Sequence, residues 1–296
     1  MLNISIALKY FLFMMIELTL LFLLIGAIIS YILMHMPHNK IHNWMANKGF
    51  GGYIIGALAG AIAPLWSYTT IPLTLAFIEA GVPIGAVITF TVAAPLINPI
   101  IMAKIASLMG GAVAQWYFVI IIVLSILSGV IVEKKGGEKY IKSYYAGFEA
   151  ERTTTEIPKT IIEKVKKSCY KSWQDYKHVF LFLVIGSAIG AAINTFMPEY
   201  ILSRISDKNN LAAIPVAAVA GAPYFLRAEV AIPIGSSLIN KGMSAGVVIA
   251  MIISGAGIDI PAVSLLAGIF KKKLVAAYCF IIIFIAISVG FIIEIV

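Results

Sequence analysis

The sequence predicts an all-α, polytopic membrane protein made of two inverted repeats, each with about five membrane segments that include broken or re-entrant helices. The first observation is composition: 61% of the 296 residues are hydrophobic and 12% are charged, whereas a soluble domain is about 45–50% apolar and about 25% charged. The second is a series of apolar runs close to the roughly 20 residues that a span needs. The third is a sequence pattern that returns after 161 residues.

Each half is predicted to contain five apolar segments, of which the first and the last are uninterrupted spans. The second and third are only about 13 residues long, near 20 Å, and a membrane core is about 30 Å thick. They are therefore short spans or the two arms of a re-entrant hairpin. The fourth is long enough to cross but is interrupted by Pro95 and Pro99. In the first half the segments are residues 6–34, 51–63, 67–80, 84–109 and 115–132.

Prolines and glycines break the apolar sequence throughout residues 64–99. Proline lacks the backbone donor that a helix needs. Broken helices at membrane depth are tolerated only where they are buried in protein or line a water-filled cavity. This stretch therefore predicts a pathway through the protein rather than a simple anchor.

The same pattern returns in the second half at a constant offset. Pro233 corresponds to Pro72, and Gly242 corresponds to Gly81. One offset that holds over some hundred residues without a gap indicates an internal duplication, which is common in transporters. We predict a first transmembrane repeat at residues 1–133, a basic cytoplasmic loop with an amphipathic helix at 134–177, and a second transmembrane repeat at 178–296.

Charge predicts that the second repeat is inverted relative to the first. Residues 133–177 contain eleven of the 22 Lys and Arg residues, and an excess of positive charge is typical of cytoplasmic loops. Lys271, Lys272 and Lys273 stand where the first half has no basic residue. With five segments per half, 17 basic residues fall inside and four outside, which places both termini outside the cell membrane. Counting the interrupted fourth segment as two passes would reverse this parity.

Apolar residues recur at helical spacing in the second part of the basic loop. Ile161, Val165, Cys169 and Trp173 follow this spacing with lysines between them. The pattern predicts an amphipathic helix, which either lies on the anionic cytoplasmic surface of the bilayer or packs on the protein's own cytoplasmic face.

Polar residues stand beside the predicted breaks, and the duplication puts unlike residues at matching positions. Asn98 corresponds to Asp259, and each is followed within two residues by a proline. In inverted repeats the broken helices of both halves meet near the middle of the membrane, where substrate and ions bind. We therefore predict a substrate or ion site that includes Ser67, Tyr68, Thr69, Thr70, Asn98, Arg227, Glu229 and Asp259.

The ionisable members of this set are the strongest candidates, because charges in membrane segments are costly and usually functional. Glu229 or Asp259 can bind a cation or carry a proton, and Arg227 can attract an anion. The structural alternatives are an ion pair between Arg227 and Glu229, a helix-capping role for Asp259, and hydrogen bonding between helices for the hydroxyl residues and Asn98.

Three motifs resemble those of the predicted-permease family that includes the organoarsenical efflux permeases. They are PLWSYTTIPL from Pro64, AGVPIG from Ala80 and PLINP from Pro95, and the resemblance extends over nearly the whole chain. It implies a permease. Where the organoarsenical members carry two cysteines, this chain has Trp66 and Tyr68. Trivalent arsenic is soft and suits thiolates, so the resemblance does not transfer the arsenic substrate.

We therefore expect a permease, not an enzyme, that carries a small solute or ion across the bilayer by secondary transport with alternating access. A passive channel lined by the same helices and an organoarsenical or metalloid exporter are the alternatives. No nucleotide-binding P-loop is present in the sequence, and we expect no cofactor. Nucleic acid is not an expected partner, because the positive charge is concentrated in one loop. An aspartyl protease would need a second membrane aspartate beside Asp259, and the sequence has none.

Overall fold

The computed structural model describes residues 2–35, 49–62, 67–146, 160–196, 212–223, 228–240 and 242–295. Their regular structure is helical, apart from an isolated β-bridge between Ile141 and Phe270. The first-half helices are α1 (Leu2–His35), α2 (Phe50–Ile62), α3 (Ser67–Glu79), α4 (Ile84–Ala93), α5 (Pro99–Met109) and α6 (Gly111–Lys134), with the short α7 (Ser143–Ala146) beyond them. The second-half helices are α8 (Ile161–Phe196), α9 (Ala213–Gly221), α10 (Ala228–Asn240), α11 (Ala245–Gly257), α12 (Ile260–Ile269) and α13 (Lys272–Ile295).

Four of the described helices are long and apolar enough to cross a membrane. The helices α11 and α12 qualify together as a fifth span, which is bent by 44° at its break. The prediction of a helical, multi-pass membrane protein is therefore confirmed. The four long candidates are Ile4–Ile32, Gly111–Lys134, Ile161–Ala192 and Lys272–Ile295.

The helices of the second half match those of the first at the 161-residue offset. The bounds of α10 and α13 correspond residue for residue to those of α3 and α6. The last residue of α8, Phe196, corresponds to the last residue of α1, His35. Gly81 follows the end of α3 and Gly242 follows the end of α10, both with positive φ, and a glycine in that conformation commonly terminates a helix.

The first helices of the two halves, α1 and α8, pack side by side in antiparallel orientation. The hydroxyls of Thr19 and Tyr176 lie 2.8 Å apart, and Ser172 Oγ donates to the Leu23 carbonyl at 2.9 Å. Residue numbers therefore rise along α1 while they fall along the facing side of α8.

The last helices, α6 and α13, are arranged in the same way. The C-terminal half of α6 and the N-terminal half of α13 line one groove. Just beyond α6, the Tyr140 carbonyl accepts a hydrogen bond from the Lys271 amide at 2.7 Å. Both pairs of long counterpart helices are therefore antiparallel.

The two short helices α2 and α3 run in opposite directions relative to α4. Tyr53 near the start of α2 lies against Gly85 at the start of α4, and Gly60 lies against Ala94, so α2 runs parallel to α4. The hydroxyls of Thr74 and Thr91 lie 2.9 Å apart, and α3 returns antiparallel to α4. The two short helices therefore run in opposite directions, which both short spans and a re-entrant hairpin would require.

The amphipathic segment predicted in the basic loop is the first part of α8 rather than a separate helix. No glycine or proline interrupts residues 161–185, and lysine and glutamate are good helix formers. Ser168 and Ser172 on its buried face pack against α1, while Ile162 and Trp173 are exposed. The predicted boundary between residues 177 and 178 therefore falls inside a continuous helix.

Candidate functional site

Two buried helix breaks form the centre of the candidate site. The chain leaves α4 and enters α5 across residues 94–98, and it leaves α11 and enters α12 across Ile258 and Asp259. Asn98 and Asp259 are the N-cap residues of α5 and α12. Their exposed fractions are only 2% and 4%. The duplicated break thus places one amide and one carboxylate in the protein interior.

The two N-cap side chains behave differently. Asn98 Oδ1 accepts a hydrogen bond from the Ile101 amide at 2.9 Å, which is an ordinary N-cap. The side chain of Asp259 makes no such capping hydrogen bond, although its backbone is extended as an N-cap requires. The capping role considered for Asp259 therefore fits Asn98 instead. The positive end of the α12 dipole still favours a negative charge at this position.

Two tyrosines, which the sequence did not single out as site residues, hold the carbonyls that the breaks release. Tyr117 Oη donates to the Leu96 carbonyl at 2.8 Å, and Tyr278 Oη donates to the Gly257 carbonyl at 2.9 Å. Both donors and both acceptors match at the 161-residue offset. The sequence contained one signal that could have identified them, which is that Tyr278 is the counterpart of Tyr117 at the 161-residue offset.

Two glutamates hold the starts of the same broken helices. Glu133 Oε2 at the end of α6 accepts from the Gly85 amide at 2.9 Å. Glu294 Oε2 at the end of α13 accepts from the Gly246 amide at 2.8 Å. A carboxylate at a helix N-terminus satisfies an orphan donor and complements the dipole. Each long helix thus fixes its broken partner both at the start and at the break.

The other predicted site residues lie on helices that cross between the two halves. Thr70 is buried in α3, and its carbonyl accepts from Thr74 Oγ1 at 2.9 Å. Helix α3 contacts α12, which begins directly after Asp259, and α5, which Asn98 caps, contacts α10. Ser67, Tyr68 and Thr69 begin α3 and Glu229 lies in the first turn of α10, but the described part of the chain includes neither their side chains nor Arg227.

A partly buried ion cluster that the sequence analysis missed joins α3 of the first half to α8 of the second. It lies at the end of the molecule where residues 134–142 meet Lys271, which we call the basic end. Lys171 Nζ of α8 lies 2.6 Å from Glu79 Oε1 of α3 and 3.0 Å from Asp175 Oδ1. Both carboxylates also line a cavity of about 20 Å³, enough for one water molecule. Glu79 was visible as an acid in an apolar run, but its partners in α8 depend on tertiary packing.

The long apolar helices and paired interior breaks define a multi-pass membrane protein with a polar centre. A family model described as a predicted permease matches residues 3–295. The chain therefore belongs to the predicted-permease family, which confirms the resemblance seen in its motifs.

Relatives of this chain occur in bacteria and in an archaeon. The UPF0718 protein YcgR of Bacillus subtilis is 27% identical, over 86% of this chain and 85% of that protein. A Streptococcus mutans protein, whose name proposes a subunit of a two-component membrane permease complex, is 26% identical over 87% and 85%. A UPF0718 protein of Methanocaldococcus jannaschii is 23% identical over 81% of each chain. No solved structure matches the chain.

Proposed function

We propose that this permease is a secondary transporter that moves a small solute across the cell membrane by alternating access between two inverted repeats. The site lies between the repeats, where α3 meets α12 and α5 meets α10. The observation that carries this proposal is the pair of buried breaks at Asn98 and Asp259, since irregular backbone and buried charge at membrane depth mark binding sites.

The packing of counterpart helices supports the inverted arrangement. A two-fold axis in the membrane plane turns each helix of one repeat upside down in the other. Counterparts then run antiparallel, as α1 and α8 do, and as α6 and α13 do. Repeats related by an axis along the membrane normal would instead have counterparts that run in the same direction. The crosswise contacts of α3 with α12 and of α5 with α10 also exchange under a two-fold axis.

The difference between the two breaks supports coupling to an ion gradient. The Asn98 amide is neutral at every pH, whereas the Asp259 carboxylate can bind a proton or a cation and become neutral. The ion pair between Glu79 and Lys171 joins the first half to the second at the basic end. We propose that it holds that end closed in the conformation described here, with the basic end in the cytoplasm.

Solute accumulation in everted membrane vesicles tests the transport proposal. Vesicles that contain the protein receive a proton or sodium gradient and a defined mixture of small cations, anions, neutral solutes and a trivalent organoarsenical. Mass spectrometry then identifies the solute that accumulates relative to empty vesicles. Flux of a solute to equilibrium without accumulation would favour the passive channel, and selective accumulation of the organoarsenical would favour the metalloid exporter.

Asp259→Asn tests the coupling role, because it gives the second break the same residue type as the first. We expect loss of gradient-driven accumulation with solute exchange at equilibrium preserved. Glu138→Gln removes an exposed carboxylate away from the site and is the matched control. Accumulation by Asp259→Asn at the wild-type level would show that Asp259 does not couple transport to the gradient.

A further inference from the structure

A groove between α6 and α13 lies outside the candidate transport site. Its volume is about 540 Å³, within the range of roughly 300–1,000 Å³ that small-molecule sites occupy. Most of its lining is apolar, and Leu127, Ile131, Phe280 and Phe284 are exposed there. The groove therefore opens along the surface that faces the lipid chains.

Two lysines lie at the basic end of this groove. Lys135 follows α6, Lys273 lies in the first turn of α13, and both are exposed and line the groove. Within the described part of the chain, no carboxylate forms a salt bridge with either ammonium. Lys271 is engaged differently, since its Nζ donates to the Lys139 carbonyl at 2.7 Å. Two cations thus stand at the mouth of an apolar cleft.

The duplication does not account for these two lysines. At the matching positions, 161 residues away, the sequence has Ala112 for Lys273 and Val296 for Lys135. The opposite ends of α6 and α13 therefore lack the cationic pair. The cationic pair is therefore present where the end of α6 meets the start of α13, and the duplication does not repeat it where the start of α6 and the end of α13 lie.

We propose that this groove is a binding site for one anionic phospholipid, whose phosphate lies between Lys135 and Lys273 and whose acyl chain lies along the apolar lining. Basic pockets between membrane helices on the cytoplasmic side are suited to anionic headgroups. A second copy of this chain is a poorer occupant, because a symmetric contact would bring four lysines together. The lipid bridges α6 of the first half and α13 of the second, so it stabilises the contact between the halves.

Native mass spectrometry of the purified protein, delipidated and then titrated with dioleoyl phosphatidylglycerol or dioleoyl phosphatidylethanolamine, tests this site. We expect one tightly retained phosphatidylglycerol and weaker retention of phosphatidylethanolamine. The double variant K135Q/K273Q should weaken phosphatidylglycerol binding by about 30-fold, since each lysine near an anionic surface contributes about fivefold. Both lysines are exposed, so the double variant should fold normally.

Two further variants separate the groove from general surface charge. K166Q/K177Q removes two exposed lysines from α8 at the same end and should leave phosphatidylglycerol binding unchanged. Ala277→Phe fills the groove while keeping both cations, and it should weaken the retention of both lipids. Equal binding by wild type and K135Q/K273Q, equal loss in K166Q/K177Q, or a lipid-free dimer as the main species would overturn the proposal.

Discussion

Tyr117 and Tyr278 show how a single hydroxyl supports each helix break. Where α4 and α11 stop, the carbonyls of Leu96 and Gly257 lose their helical donors. The two tyrosine hydroxyls replace those donors in the protein interior. A buried carbonyl left without a donor costs about 1–3 kcal/mol, so the hydroxyls stabilise an irregular backbone that would otherwise be unfavourable.

We expect Tyr117→Phe to lower the free energy of unfolding by about 1–3 kcal/mol, because it removes the donor and keeps the ring. Tyr278→Phe should have a similar effect at the second break. Denaturation of the purified protein in mixed micelles measures the change. Tyr170→Phe, at a side chain that is 63% exposed, is the control and should unfold like the wild type. Unchanged stability of both buried variants would show that the breaks do not depend on these hydroxyls.

The residues at the breaks were predictable from sequence only in part. Pro99 and Pro261 marked the positions of the breaks, and the constant offset paired Asn98 with Asp259. The hydrogen bond from Tyr117 to Leu96 spans 21 residues and depends on how α6 packs against the break. No local pattern encodes that contact, so the tyrosines emerged only from the structure.

At the scale of helices, close packing between a broken helix and a long helix holds each half together. The pairs are α4 with α6 in the first half and α11 with α13 in the second. A Cβ added at Gly129 would collide with Thr89 Oγ1 and the Gly85 carbonyl, and one added at Gly290 would collide with the Gly246 carbonyl. Small residues let membrane helices approach closely where lipid supplies no hydrophobic driving force. The same contact, formed twice, keeps the broken helix on the long one.

Gly129→Ala should push α4 away from α6 and lower the free energy of unfolding by about 1–3 kcal/mol, the usual cost of overpacking. It should also weaken the hydrogen bond between Glu133 and the Gly85 amide. Gly111→Ala is the matched control, because an added Cβ there meets no atom within 4 Å. The same denaturation assay compares the two. If both variants matched the wild type, the helix contact would be looser than the structure indicates.

The sequence predicted most helices because proline and glycine residues mark where the helices are interrupted. It predicted α3 over residues 67–80, and the structure has Ser67–Glu79. It treated the start of α8 as separate from the following span, because lysines are unusual within a span. The helix is continuous, since residues 161–185 contain no proline or glycine. Whether α2 and α3 were spans or a hairpin also remained open, since a short apolar run does not reveal where it turns.

At the scale of the whole molecule, the two halves have kept their helices and diverged in charge. Glu79, which pairs with Lys171, corresponds to Asn240, and the groove lysines correspond to uncharged residues. A carrier with inverted halves needs similar folds to exchange between two states, but it needs different charges to define direction and coupling. Asn98 and Asp259 show the same divergence in the protein interior.

Cysteine labelling at the first residues of α6 and α13 tests the inverted arrangement directly. Gly111 and Lys272 correspond in the duplication, so parallel repeats would put them on the same side of the membrane. In an otherwise cysteine-free protein, lacking Cys169 and Cys279, we expect a membrane-impermeant maleimide on intact cells to label Gly111→Cys. It should label Lys272→Cys only after permeabilisation, because our proposal puts the basic end in the cytoplasm. Ile295→Cys, at the far end of α13, should label like Gly111→Cys. Equal labelling of Gly111→Cys and Lys272→Cys would rule out inversion and, with it, this form of alternating access.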